Sequence, residues 1–264
     1  MEIMPYQKSD VFQNFYDKRC ILEQKTQNYE KIEKQNYKKD ENIKYKTAIS
    51  GLLGAALPVC ALNIKENGIK EIFKNSSTIT DKLKSVCKLF ETNKYHKLIA
   101  SMAGAIGFAT YVGYGLDNDP KNKKTKIEEG AFEFLNAAIP TTLLAFGEKF
   151  IEKKENESLL KGNKQSYALA RGLLTAASVA GGMFVANKTS NKLNEKVFEK
   201  DEENPSKRHF KISDCLVHID DITGLFILTK NPALKAIADK CQMDKILPLL
   251  YAKCGYEAGT KEKE

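Results

Sequence analysis

The stretch AISGLLGAALPVCALNI, residues 48–64, contains no charged side chain. It is close to the ~20 residues that a helix needs to cross the hydrocarbon core of a bilayer. A core strand would be far shorter, typically about five or six residues. A helix on the surface of a water-soluble domain would carry polar residues on one face, whereas this run is apolar or small all round. Three further runs share its texture: LIASMAGAIGFATYVGYGL (98–116), AFEFLNAAIPTTLLAFG (131–147) and LLTAASVAGGMFVA (173–186). The third contains one acid, Glu133. Charged stretches separate the runs, and those at 65–97 and 148–167 read as amphipathic helices on or near the membrane surface.

The runs are only modestly hydrophobic because Gly, Ala, Ser and Thr fill them. Lipid cannot drive helices together by the hydrophobic effect, and small residues do so by letting backbones touch. Gly51 and Gly54, Gly104, Gly107 and Gly113, and Gly181 and Gly182 supply such positions. In a water-exposed helix each glycine would cost about 1 kcal/mol relative to Ala. The reading is therefore an all-α, polytopic transmembrane bundle of four spans. The competing reading is a soluble, Ala-rich helical bundle.

The first and third runs also resemble each other. With Leu53 on Leu135, Ala55, Ala56, Leu57 and Pro58 fall on Ala137, Ala138, Ile139 and Pro140, and Leu62 falls on Leu144. In the runs that follow, Leu98, Ala105 and Gly107 fall on Leu173, Ala180 and Gly182. Hairpin A (48–116) and hairpin B (131–187) thus read as parallel repeats within a bundle at 47–211. A degenerate third hairpin at 212–264 would use ITGLF from Ile222 and ILPLLYAKCGYEAG from Ile246. Pro58 and Pro140, at matching depth, would each remove a backbone donor and bend a helix. They read as hinge candidates or as packing geometry inherited with the duplication.

Residues 1–46 form a polar, lysine-rich arm, helical or disordered, in which Tyr29, Tyr37 and Tyr45 recur every eight positions. With four spans, Lys and Arg number 21 on the side of the arm, the 117–130 loop and the segment from 188 to Lys211, against 13 opposite. Basic loops stay inside, so both termini are expected in the cytoplasm of a bacterium. The first twenty residues carry no signal-peptide core, and the last seven carry no lipidation signal.

The 264-residue chain has a net charge of +8, yet only three of its 42 basic residues are Arg. Readers of phosphates and bases lean on Arg forks, so specific nucleic-acid binding is not expected. Lys with abundant Asn, Ile and Tyr is the signature of an AT-rich coding sequence. The six cysteines form no CxxC and have no His at zinc-finger spacing, and read as reduced thiols.

Two constellations carry candidate chemistry. Asp214, His218 and Asp221 stand at i, i+4 and i+7, one helical face suited to a metal or a proton relay, or to a plain polar face. Glu133 and Asn136 lie in the third run and Arg171 heads the fourth. Ionisable groups near lipid turn inward and pair, so Glu133 with Arg171 is the expected intrabundle pair unless both reach water at the interface. No phosphate loop, dinucleotide fingerprint or hydrolase motif occurs, and no cofactor is expected. The functional expectation is a non-enzymatic membrane scaffold whose partners are the lipid bilayer, other membrane proteins or itself. The alternatives are a small transporter using the kinked duplicated helices, and a metal- or proton-handling enzyme at 214–221.

Overall fold

Each charge-free run lies on a helix. The computed structural model of the chain describes residues 31, 40–73, 78–156, 164–200 and 219–263, and no strand occurs among them. Helix α1 spans Asp40–Asn67. It is followed by α2 (Ile69–Phe73), α3 (Ile79–Lys88), α4 (Tyr95–Leu116), α5 (Pro120–Asn156) and α6 (Lys164–Leu193). Then come α7 (Ile219–Leu228), α8 (Pro232–Lys240) and α9 (Met243–Thr260), while a π-helical turn, Asn194–Phe198, extends α6. Two compact units divide at Ile43 and Lys44. Most of the first lies outside the described residues; the second, Lys44–Glu264, holds all four runs and the C-terminal helices.

Helices α1, α4 and α6 with its extension are long and apolar enough to cross a membrane. The third run is not, so the described residues give three candidate spans where four were expected. The reason is composition: within α5, Glu133, Asn136, Pro140 and Glu148 dilute the apolar residues. The described residues of 148–167 likewise do not form a separate helix. Residues 148–156 continue α5, which is 37 residues long, about 55 Å at the α-helical rise. Residues 164–167 begin α6.

Local signals explain the shorter elements. Thr78 caps α3 by accepting from the Asp81 amide at 3.1 Å, while the Asp81 carboxylate accepts from the Thr78 amide at 3.3 Å, a reciprocal capping box. Asn231 caps α8 by accepting from the Ala233 and Leu234 amides, with Pro232 in the first turn. Gln242, in the left-handed region at φ 49°, makes the turn from α8 into α9.

Contacts fix the directions of the long helices. Gly54 of α1 meets Gly104 of α4, and the end of α1 reaches the start of α4 through Glu66 and Lys94, so the two run antiparallel. Helices α5 and α6 do the same, through Pro140 with Gly182 and Glu148 with Arg171. Helix α9 runs parallel to α4. Thr92, just before α4, donates to the Asp244 carbonyl of α9, and Gly255 and Gly259 lie beside Ala105 and Ala109 of α4. The core joins Leu98, Met102, Ala105 and Ile106 of α4 to Leu247, Tyr251 and Ala252 of α9, with Ala55, Ala137 and Ile227 around them. The C-terminal helix is therefore a central element of the bundle.

Candidate functional site

A seam of small residues joins α1, α4 and α9. A Cβ added to Gly54 would overlap the Gly104 carbonyl, and one added to Gly104 would overlap the Gly54 carbonyl. The same holds for Gly113 against the Gly259 carbonyl and for Gly255 against the Ala105 carbonyl, while a Cβ on Gly51 would lie 2.9 Å from the Ala252 oxygen. On α4 the seam is Ser101, Ala105, Ala109 and Gly113, each four apart; on α9 it is Gly255 and Gly259. Four-residue spacing puts small residues on one helical face, and backbones then approach as in close-packed membrane helices. The Ser101 hydroxyl donates to the Ala55 carbonyl at 3.0 Å and is itself fully buried.

Buried lysines close the bundle at both ends. At one end Lys97, 2% exposed, donates to Asn63 Oδ1 at 2.7 Å and pairs with Glu66 at 2.8 Å. Glu66 also binds Lys94 at 2.8 Å and His96 at 2.7 Å, and the Asn63 amide donates to the carbonyls of Leu89 and Glu91. In the adjoining loop, burial and then the nearby Asp244 carboxylate push Glu91 above the usual carboxylate range. At the other end Lys126, 1% exposed, donates to Asp117 Oδ2 and to the Lys261 carbonyl, each at 2.8 Å. A buried charge requires this kind of pairing. Lys97 and Asp117 are separated by twenty residues of α4, about 30 Å of helix, which is the thickness of the hydrocarbon core.

The expected pair of Glu133 with Arg171 does not form. Arg171 donates to Glu148 at 3.1 Å and to Glu155 at 2.8 Å, fifteen and 22 residues beyond Glu133 along α5. Fifteen residues is about 22 Å of helix, out of reach of one guanidinium. Glu148, 4% exposed, also accepts from the Lys230 amide at 2.9 Å and from the Thr229 hydroxyl at 3.3 Å. Lys230 Nζ donates to Glu152 at 2.6 Å and holds that carboxyl below its ordinary range. The network thus locks the α7–α8 connection onto α5 and α6. Glu133 instead lines an open cleft with Lys44, Glu129, Glu257, Thr260, Lys261 and Glu262. Asn136 is buried within α5.

The two prolines sit in glycine notches. Pro140 is buried, and a Cβ on Gly182 would lie 2.6 Å from its Cα. Pro58 Cγ lies 3.1 Å from the position a Cβ on Gly104 would take. Asp214 and His218, the first two members of the metal candidate, lie outside the described residues, as does the side chain of Asp221. Among the described residues no group of three His, Cys, Asp or Glu side chains is placed to hold a metal. Cys60, Cys87, Cys241 and Cys254 are free thiols.

The outer surface inverts the usual arrangement. Leu52, Leu53 and Leu57 of α1, Phe108 and Tyr111 of α4, Phe146 and Phe150 of α5, and Leu169, Leu173 and Phe184 of α6 are all exposed. Lys side chains reach over several exposed rings, with Lys149 over Phe146, Lys154 over Phe150 and Lys188 over Phe184. Tyr95 marks one end of α4, with Tyr111 and Tyr114 towards the other. On α3 the apolar stripe Ile79, Leu83 and Val86 is uncovered. Helix α9 is mixed, exposing Ile246 and Leu249 and also turning the Lys253–Glu257 pair outward at 2.8 Å. No family model matches the chain, and no curated protein or solved structure is significantly similar to it.

The sequence reading missed Glu148, Lys97, Lys126 and the α9 glycines. Two of these left a signal. Gly255 and Gly259 are four apart in a stretch already noted as apolar, and Asn63 with Glu66, the partners of Lys97, puts polar groups at and just beyond the end of the first run.

Proposed function

We propose that this chain is an integral membrane scaffold, a non-enzymatic helical bundle that holds its shape in lipid and offers a polar side to partners. One observation carries the reading. Helices α1 and α4, whose Gly54 and Gly104 touch backbone to backbone inside the bundle, turn Leu52, Leu53, Leu57, Phe108 and Tyr111 outward. Soluble monomers rarely expose contiguous apolar surface of this kind, whereas lipid is the solvent such a surface fits. The ~30 Å between the buried lysine clamps supports the same placement, and so do the exposed tyrosines and Lys-covered rings near the ends, the amphipathic residues that membrane interfaces select.

Helix α3 would then lie in the interface with Ile79, Leu83 and Val86 in the acyl boundary. The Lys253–Glu257 end of the outer face of α9 supports a side turned towards another protein, a second copy or water. The recurrence of a proline seated against a glycine, Pro58 with Gly104 and Pro140 with Gly182, supports the reading as two related helical hairpins. The lysine excess counted for four spans supports placing the 117–130 side on the inner face of the cytoplasmic membrane of a bacterium.

The test is extraction. Membranes from cells expressing the chain are washed with alkaline carbonate, and the purified protein is sized with and without detergent. The expected result is retention in the washed pellet and aggregation once detergent is removed. Release by carbonate, together with a monodisperse protein in plain buffer, overturns the proposal.

A further inference from the structure

We infer that the groove between α4 and α5 seats one acyl chain of an anionic phospholipid, with the headgroup beside Lys123; this deepens the membrane reading and rests on it. The groove encloses about 580 Å³ and is lined by apolar groups with little polar surface. The small residues Ala103, Gly107, Gly130 and Ala131 line it together with the larger Tyr111 and Phe134. A Cβ built on Gly107 would meet nothing within 4 Å, so the missing side chain there leaves space that no neighbour fills.

Length and charge select the occupant. Along α4 the groove runs from Ala103 to Tyr114, eleven residues or about 16 Å. That is half of the ~30 Å hydrocarbon core, the depth of one leaflet. It ends towards Lys126, where Lys123 Nζ lies 5.2 Å from the centroid of the Tyr114 ring. Lys123 has no carboxylate partner among the described residues. Lys124, its neighbour in sequence, is 3.9 Å from Glu128. An ammonium that rests on an aromatic ring and has no carboxylate partner among the described residues, at the mouth of an apolar slot one leaflet long, fits a lipid phosphate above an acyl tail. It does not fit a second copy of this chain. Two-fold pairing within the membrane would bring another Lys123 to the same mouth, like charge against like charge.

The experiment is native mass spectrometry of the full chain in a non-ionic detergent, with dioleoyl phosphatidylglycerol or phosphatidylcholine added. Wild type is expected to retain one lipid, with a roughly fivefold preference for phosphatidylglycerol, the effect of about one lysine near an anionic headgroup. Gly107→Phe fills the slot and is expected to lose that lipid. Gly181→Phe is the folding control: a Cβ there also meets nothing within 4 Å, and the lipid is expected to stay. Lys123→Glu is expected to keep a bound lipid and lose the preference. Equal retention of the two lipids by wild type, or identical lipid counts for Gly107→Phe and Gly181→Phe, overturns the inference. Should carbonate release the chain, the membrane reading fails by itself. The groove is then titrated with short-chain phosphatidylglycerol in detergent-free buffer: binding that Gly107→Phe abolishes upholds the slot, and binding insensitive to it sinks the slot.

Discussion

Replacing Gly104 by Ala adds one methyl group, and its effect follows from where that methyl must go. It would overlap the Gly54 carbonyl oxygen, with the carbonyl carbon at 2.9 Å and Pro58 Cγ at 3.1 Å. The obstacle is backbone, not the free end of a side chain, so α1 and α4 must separate. Separation also strains the neighbouring hydrogen bond from Ser101 to the Ala55 carbonyl. Overpacking of this kind costs about 1–3 kcal/mol, offset by the ~1 kcal/mol by which Ala favours a helix over Gly. The net expectation is a loss of up to about 2 kcal/mol. Gly181→Ala is the matched comparison, because its methyl meets nothing within 4 Å, and up to about 1 kcal/mol is gained. The two single-methyl variants share that propensity gain and should therefore differ by the overpacking cost, about 1–3 kcal/mol, roughly 5- to 150-fold in the unfolding equilibrium. Far-UV circular dichroism during denaturant unfolding in micelles reads the difference, since the chain has no Trp. If Gly104→Ala proves as stable as Gly181→Ala, the helices are not in backbone contact and the seam is wrong.

Two further outcomes follow from the charged groups. Glu148→Gln leaves Arg171 short of one buried partner and should cost about 3 kcal/mol in the same unfolding assay, whereas Glu148→Leu combined with Arg171→Met should recover most of it, because apolar replacement removes both desolvation penalties; a double variant no better than the single one would refute the pairing. Glu91 is held above the usual carboxylate range by burial and then by Asp244, so its ionised form opposes folding. That penalty is present at neutral pH and disappears as pH falls below the ordinary glutamate range. Glu91→Gln should accordingly raise the thermal midpoint at pH 7 and match wild type near pH 4. An equal gain at both pH values would show that charge is not the cause.

How far the sequence could be read depended on the kind of signal. Long runs without charge and rich in glycine are legible because each residue contributes to the same local property. The helices at 48–64, 98–116 and 173–186 follow from that, as does the absence of strands among the described residues. The third run shows the limit. Its apolar letters are real, but one acid, one amide and one proline within it leave α5 outside the candidate spans. The separate surface helix at 148–167 failed for a related reason. A polar stretch after an apolar one reads as a boundary, yet α5 carries straight on, with its solvated end paired to Lys230 through Glu152.

By composition and periodicity alone, the chain determined that it forms long helices, that uncharged runs on them suit a membrane, and that small residues lie where those helices could pack closely. Which partners those helices chose was decided only in three dimensions. Arg171 is 38 positions from Glu133 and 23 from Glu148 in sequence, and nothing local distinguishes the two acids. The antiparallel register of α5 and α6 does, because it sets Glu148 beside the guanidinium and carries Glu133 about four helical turns away. The same holds for α9, a short helix with two charges on its outer face. Its Gly255 and Gly259 become central only because α4 presents Ala105, Ala109 and Gly113 at matching height. Local propensity is a property of neighbours in sequence, whereas ion pairs and backbone seams depend on how distant helices are aligned.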